Sequence, residues 1–209
     1  MKERKKMRTL LMVAGICLIG FAVSLMRIAN LGTDAFTTLN LGFSFYSGIP
    51  FGLFQAFTNT ILLIFIFFMD KKYIGIGTVV NMLGVGFISD LFSQFLQPVF
   101  VNHFSIFLRI LIMGIALVLA SMGAGLYMSS DLGIAPYDAL ALIIEKKVNR
   151  NIPFKTWRAI TDILCVASGF LLGSTVGIGT VAMAFLTGPL IAFFKRFFSS
   201  KYSQQPIYE

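Results

Sequence analysis

Six stretches of this chain, roughly 9–28, 51–69, 73–96, 104–128, 154–173 and 176–194, are apolar over the length that a helix needs to cross a hydrocarbon core about 30 Å thick. No other feature narrows the possible folds as much. In lipid, every backbone N–H and C=O of such a run must be bonded within the segment, which leaves helices as the only spanning structure for runs this long. Composition agrees, since 57% hydrophobic residues, 12% charged residues and a mean hydropathy of +0.85 lie outside the range of ordinary soluble domains. The class expected is an all-α membrane protein with six transmembrane helices, whose first partner is the lipid bilayer. The first stretch follows a basic start, MKERKKMR, yet it is too long for a typical signal-peptide core and no small-x-small cleavage site follows it. It is read as a span.

A net charge of +8 raises nucleic acid as a partner, so the placement of the basic residues decides. With the N-terminus in the cytoplasm, the inner segments are 1–8, 70–72, 129–153, the foot of the fifth stretch and the tail from Lys195. These hold all but Arg27 and Arg109 of the 17 Lys and Arg residues. That is the positive-inside pattern. It points to a multi-pass plasma-membrane protein with both termini cytoplasmic and excludes nucleic-acid binding. Cys17 and Cys165 fall inside apolar stretches, where Cys acts as a small hydrophobe, and no disulfide is expected. The single His103 leaves no cluster to hold a metal or run acid–base chemistry. No phosphate-binding G-x-x-x-x-G-K-[ST] loop occurs either, so neither an enzyme nor a cofactor is expected.

The pentapeptide GIGTV occurs at 75–79 and again at 177–181. Gly177, Gly179 and Ala182 satisfy the G-x-G-x-x-A form of the dinucleotide fingerprint, but no strand precedes them and 176–194 carries no acid. The repeat has another origin. Superposing the two copies brings Leu31-Gly32 onto Leu132-Gly133, Ile49-Pro50-Phe51 onto Ile152-Pro153-Phe154, and Gly86 onto Gly188. The chain therefore reads as an internal duplication, 1–103 and 104–209. Each half has a long span, a Gly-marked elbow, a short segment (34–47 and 136–149) and two further spans. Three crossings per half oblige the second half to enter from the opposite side, an inverted-topology repeat. The short segments are below spanning length and are expected as amphipathic or re-entrant helices packed at the repeat interface. Leu39, Leu41, Phe43 and Phe45 in the first, and Leu140, Leu142, Ile143 and Ile144 in the second, provide the apolar content. Each GIGTV opens a span after a tight loop, which assigns it to packing, as do Gly20-x-x-x-Ser24 and Ser121-x-x-x-Gly125.

Asp162 lies about eight residues into the fifth stretch, hence about 12 Å deep at 1.5 Å per residue. A carboxylate near the midplane costs about 2.5–3.5 kcal/mol on insertion scales, so a partner is required. Arg158, four residues earlier, shares its helical face. Their counterparts in the first half are Gln55 and Asn59, a neutral polar pair where the second half has an ionic one. In the second elbow, Pro136 stands at a helix start with Asp138 in its first turn. Two readings of Asp162, Arg158, Asn59, Gln55 and Asp138 stay open: glue between helices, or a substrate-binding site near the repeat interface, with the short helix's N-terminus facing an anionic group.

The segments GSTVGIGTVAMAFLTGPL at 173–190, IGIGTVVNMLGVGFISD at 74–90, LGIAPYDAL at 132–140 and WRAITD at 157–162 occur in order across both halves. In these the chain resembles the YczE/YyaS/YitT-type family of bacterial membrane proteins, above all its YczE-like branch. The resemblance implies an integral protein of the bacterial plasma membrane and names no substrate. It departs from the family in the first elbow, where Gly32-Thr33-Asp34-Ala35-Phe36-Thr37 replaces a Gly-x-x-Pro-x-Asp pattern. The function expected is a carrier or channel for a small polar or zwitterionic solute. The alternative is a non-transporting scaffold or accessory subunit of another enzyme or export system, acting as a homo-oligomer or with a partner membrane protein.

Overall fold

A computed structural model describes residues 2–100, 105–148 and 154–202. Among them are eight α-helices and no strand: α1 (Lys2–Ala29), α2 (Ala35–Ser47), α3 (Phe51–Met69), α4 (Ile76–Phe100), α5 (Ile106–Ser129), α6 (Pro136–Ile143), α7 (Phe154–Leu171) and α8 (Ile178–Tyr202). Five of these, α1, α3, α4, α5 and α8, are long and apolar enough to cross a membrane. The fifth apolar stretch forms α7, which carries Lys155, Arg158 and Asp162 and is not one of the five. His103, Asn149 and the Ile152-Pro153 pair lie outside the described residues.

The exterior is apolar, unlike that of a soluble bundle, and polar side chains join the hydrophobic clusters inside. Leu53, Phe57, Ile61, Ile64 and Phe68 lie exposed along α3, whereas Ser24, Thr38, Asn40, Ser89 and Ser121 are wholly buried. An apolar exterior costs nothing against lipid, and inside it polar groups find hydrogen bonds that lipid cannot offer.

At the centre, α1 and α5 pack antiparallel. Arg8 pairs with Asp131 at one end (2.8 Å) and Arg109 reaches the Ala29 carbonyl at the other (3.4 Å). Between them Gly15 and Gly123 meet so closely that a Cβ on Gly15 would lie 2.6 Å from the Gly123 oxygen. Helix α4 packs on α1 as α8 packs on α5. The two Gly/Ser ridges serve these outer contacts: Gly20 abuts Ile88 of α4 and Gly125 abuts Phe194 of α8.

The repeated pentapeptide closes two reciprocal junctions. The Gly77 amide donates to the Leu132 carbonyl (2.7 Å), and the Gly179 amide donates to the Leu31 carbonyl (2.8 Å). Each GIGTV thus docks on the Leu-Gly elbow of the other half. Both elbows bend alike, through Asn30 and Asp131 at φ 52°, then Gly32 at φ 100° and Gly133 at φ 126°. Asn, Asp and Gly are the residues that accept such backbone at least cost. The junctions are not identical, since Thr78 donates to the Ile134 carbonyl (2.9 Å) while the buried Thr180 hydroxyl has no partner among the described residues. A second asymmetry sits at Gly86 and Gly188: α3 crosses α4 at Gly52 and Gly86, but Gly188 on α8 faces open space.

The short segments form α2 and α6, the latter running on into a π turn at Ile144–Val148. Asp34 caps α2 by accepting from the Thr37 amide (3.1 Å), and Gly48 ends it at φ 71°. Pro136 takes the first helical position of α6. The buried face of α2 differs from expectation. The fully buried residues are the small and polar Thr37, Thr38, Asn40 and Gly42 with Phe36, while Leu41 packs partly against the cluster of Ile16 and Phe51, Phe43 stacks on Phe54 of α3, and Phe45 points out. Gly42 lets α2 cross α7 at Gly169, and in a lipid-exposed fold close approach selects small residues for the interface.

Candidate functional site

The first turns of α2 and α6 meet. Phe36 and Tyr137, the second residue of each helix, stack with ring centroids 4.7 Å apart and planes 20° from parallel. Two helix N-termini, each with first-turn backbone N–H groups that lack intrahelical partners and with a partial positive charge, therefore converge on one place. Asp34 at the cap of α2 and Asp138 in the first turn of α6 supply the negative charge that such ends favour.

Helix α7 delivers the remaining groups. Arg158 contacts Asp138 at 2.5 Å and Asp162 at 3.2 Å, and its guanidinium lies 4.4 Å from the centroid of the Tyr137 ring. The Tyr137 hydroxyl donates to Asp162 at 2.6 Å. Sequence spacing found the Arg158–Asp162 pair because both share a face one turn apart. It did not join Asp138 to them, because that contact depends on α6 crossing α7. Nor did it find Tyr137, although an aromatic at the same place in both repeats, Phe36 and Tyr137, was a visible signal. Arg158, Asp138 and Asp162 are each about one third exposed (31–32%), so the cluster is reachable and not sealed. One guanidinium faces two carboxylates, an arrangement that leaves formal negative charge available to a cationic group.

Gln55 and Asn59 are placed apart from this cluster. Both are buried on α3, and the Gln55 Oε1 atom lies at the α3–α4 crossing beside Gly86 without a hydrogen-bond partner. Among the described residues no hydrogen bond or ion pair links either one to Arg158, Asp138 or Asp162. Repeat symmetry placed them on the equivalent helix. The neighbours differ, because α3 packs on α4 where α7 leaves Gly188 uncovered.

A second charged group, absent from the sequence expectations, joins α1, α3 and α4. Arg27 pairs with Asp90 at 2.7 Å and donates to Ser89 at 3.1 Å, and the other Asp90 oxygen accepts from the Gly52 amide at 2.6 Å. Asp90 thereby caps α3, whose preceding residue, Pro50, offers no side-chain cap. An acid within the 73–96 apolar stretch was the available signal.

An apolar exterior, polar side chains buried among apolar ones and helices of spanning length define an all-helical membrane protein. The chain matches the family of unknown function DUF6198 over residues 6–196, and it belongs to that family. It is 26% identical to the uncharacterized membrane protein YczE of Bacillus subtilis, over 92% of this chain and 87% of the relative. It is 30% identical to the uncharacterized protein YyaS of the same organism, over 90% of this chain and 94% of the relative. An uncharacterized protein of Haemophilus influenzae shares 25% identity over 88% of this chain and 81% of its own length. No solved structure matches the chain.

Proposed function

We propose that this protein is a carrier or channel for a small polar or zwitterionic solute, with Arg158, Asp138, Asp162 and Tyr137 at its binding centre. The meeting of two short-helix N-termini beside an accessible charge cluster carries this reading, because transporters place solute sites where discontinuous helices of the two repeats converge. The antiparallel α1–α5 pair and the reciprocal GIGTV junctions favour six spans in two inverted repeats, with α7 as the sixth and both termini cytoplasmic. Arg158 would hold an anionic group, and the carboxylates an ammonium. Tyr137 fixes Asp162 by its hydroxyl and Arg158 by its ring.

The test is thermal unfolding of the purified protein in detergent against a library of polar metabolites, followed by flux of any hit into proteoliposomes. A solute at 100 times its Kd should add about 2.7 kcal/mol of stability. Asp162→Asn should keep the fold without solute, since Arg158 keeps Asp138, yet lose both the stabilisation and the flux. Wild-type flux through folded Asp162→Asn would remove Asp162 from the site. A broad library without a single hit would favour the scaffold or accessory subunit instead.

A further inference from the structure

The open cleft beside Arg27 and Asp90, of ≈ 420 Å³, is within the size range of small-molecule sites. Its walls come from the end of α2 with its Gly48 turn, the start of α3, and one face of α4. Along α4, the cleft residues Asp90, Ser93, Gln94 and Gln97 follow at i, i+3, i+4 and i+7, a polar stripe on a helix whose other faces expose Leu91 and Phe95. Arg27 donates through Nη1 to Asp90 and Ser89, with the Phe51 ring 4.9 Å away. Its Nε and Nη2 carry no hydrogen bond among the described residues. Asp90 accepts from Arg27 and from Gly52, two of about four positions that a carboxylate offers. Ser93 is 3% exposed and its buried hydroxyl has no partner among the described residues, though Ser93 lines the cleft. A buried hydroxyl left unpaired costs free energy, which a bound polar group recovers.

We infer that this cleft is a binding site for a free α-amino acid or a similarly compact zwitterion, its carboxylate on Arg27 and its ammonium on Asp90. The protein's cation and anion stand 2.7 Å apart, which matches two opposite charges carried on groups that share a single carbon of a ligand. Ser93 and Gln94 face its polar remainder, and Phe45 and Phe51 form apolar walls. A phospholipid headgroup such as phosphoethanolamine carries the same two charges at wider separation and fits the pair less well. The site uses none of the residues assigned to the central cluster and stands whether or not the protein transports.

The test uses the full chain in detergent, titrated separately with each standard α-amino acid and with O-phosphoethanolamine while thermal unfolding is followed. At least one amino acid should raise the melting temperature, with Asp162→Asn responding as the wild type does. Gln94→Ala and Gln97→Ala, on the exposed wall, should keep the fold and weaken apparent affinity several-fold. Arg27→Gln combined with Asp90→Asn should abolish the response. No response to any amino acid, or a response to O-phosphoethanolamine alone, overturns the inference. A response lost in Asp162→Asn but retained in Gln94→Ala and Gln97→Ala also overturns it, while leaving the central site standing.

Discussion

Arg158 holds two carboxylates at once, and this changes what the loss of either partner does. A closed Arg158–Asp162 pair would let the neutral double variant recover from the harm done by Arg158→Ala. With Asp138 at 2.5 Å, Arg158→Ala leaves two carboxylates without their cation, and adding Asp162→Asn still leaves one. Breaking a fully buried pair costs about 3–5 kcal/mol, and the one-third exposure here reduces that to about 2–3 kcal/mol for Arg158→Ala. Asp162→Asn alone, which keeps the Asp138 pair and weakens the Tyr137 bond, should cost about 1 kcal/mol. Chemical denaturation in detergent measures both. The double variant should stay nearer to Arg158→Ala than to the wild type, and its full recovery would show that Asp138 does not depend on Arg158.

At the scale of elements, the reciprocal junctions make specific glycines unequal. A Cβ on Gly75 would lie 2.1 Å from the Leu132 carbonyl oxygen, and one on Gly133 would lie 2.4 Å from the Thr78 hydroxyl on backbone at φ 126°. Gly114, within α5, has no neighbouring atom within 4 Å of its added Cβ. Gly75→Ala and Gly133→Ala should therefore each lose about 2–4 kcal/mol, or fail to fold, whereas Gly114→Ala should fall within about 0.5 kcal/mol of the wild type. Unfolding midpoints of the three variants decide this. Equal midpoints for Gly75→Ala and Gly114→Ala would deny the junction its role. The same junctions hold the elbows that start α2 and α6, so strain there should also reach the Phe36–Tyr137 contact.

For the whole molecule, the orientation of the two halves is the property to test. With Cys17 and Cys165 replaced, single cysteines at Asn102 and Asn149, both outside the described residues, should react with an impermeant thiol reagent from opposite sides of the membrane. The proposed three crossings per half and the basic inner segments lead to this expectation. Labelling of both from the outside would refute the inverted arrangement. The central cluster would then have to be approached by another route.

Apolar runs, basic segments and a repeated pentapeptide were legible in the sequence because each depends on local chain chemistry: transfer into lipid, charge placement, and duplicated residues. They led to an all-helical membrane protein, to α2 and α6 as short helices starting near Asp34 and Pro136, and to the pairing of Arg158 with Asp162 across one turn of a helix. What joins Asp138 and Tyr137 to Arg158, Arg27 to Asp90, and each GIGTV to the opposite Leu-Gly elbow lies between residues 20 to 63 positions apart in the first two cases and in the opposite half in the third. Those contacts depend on how helices cross. Crossing in turn follows from which small residues let backbones meet, as at Gly15 and Gly123 or Gly42 and Gly169. The inward face of α2 shows the limit most directly. The apolar content of α2, Leu39, Leu41, Phe43 and Phe45, was the reason to expect packing, but with lipid outside, apolar area drives no burial, and close packing with hydrogen bonding placed Thr38, Asn40 and Gly42 on the buried face.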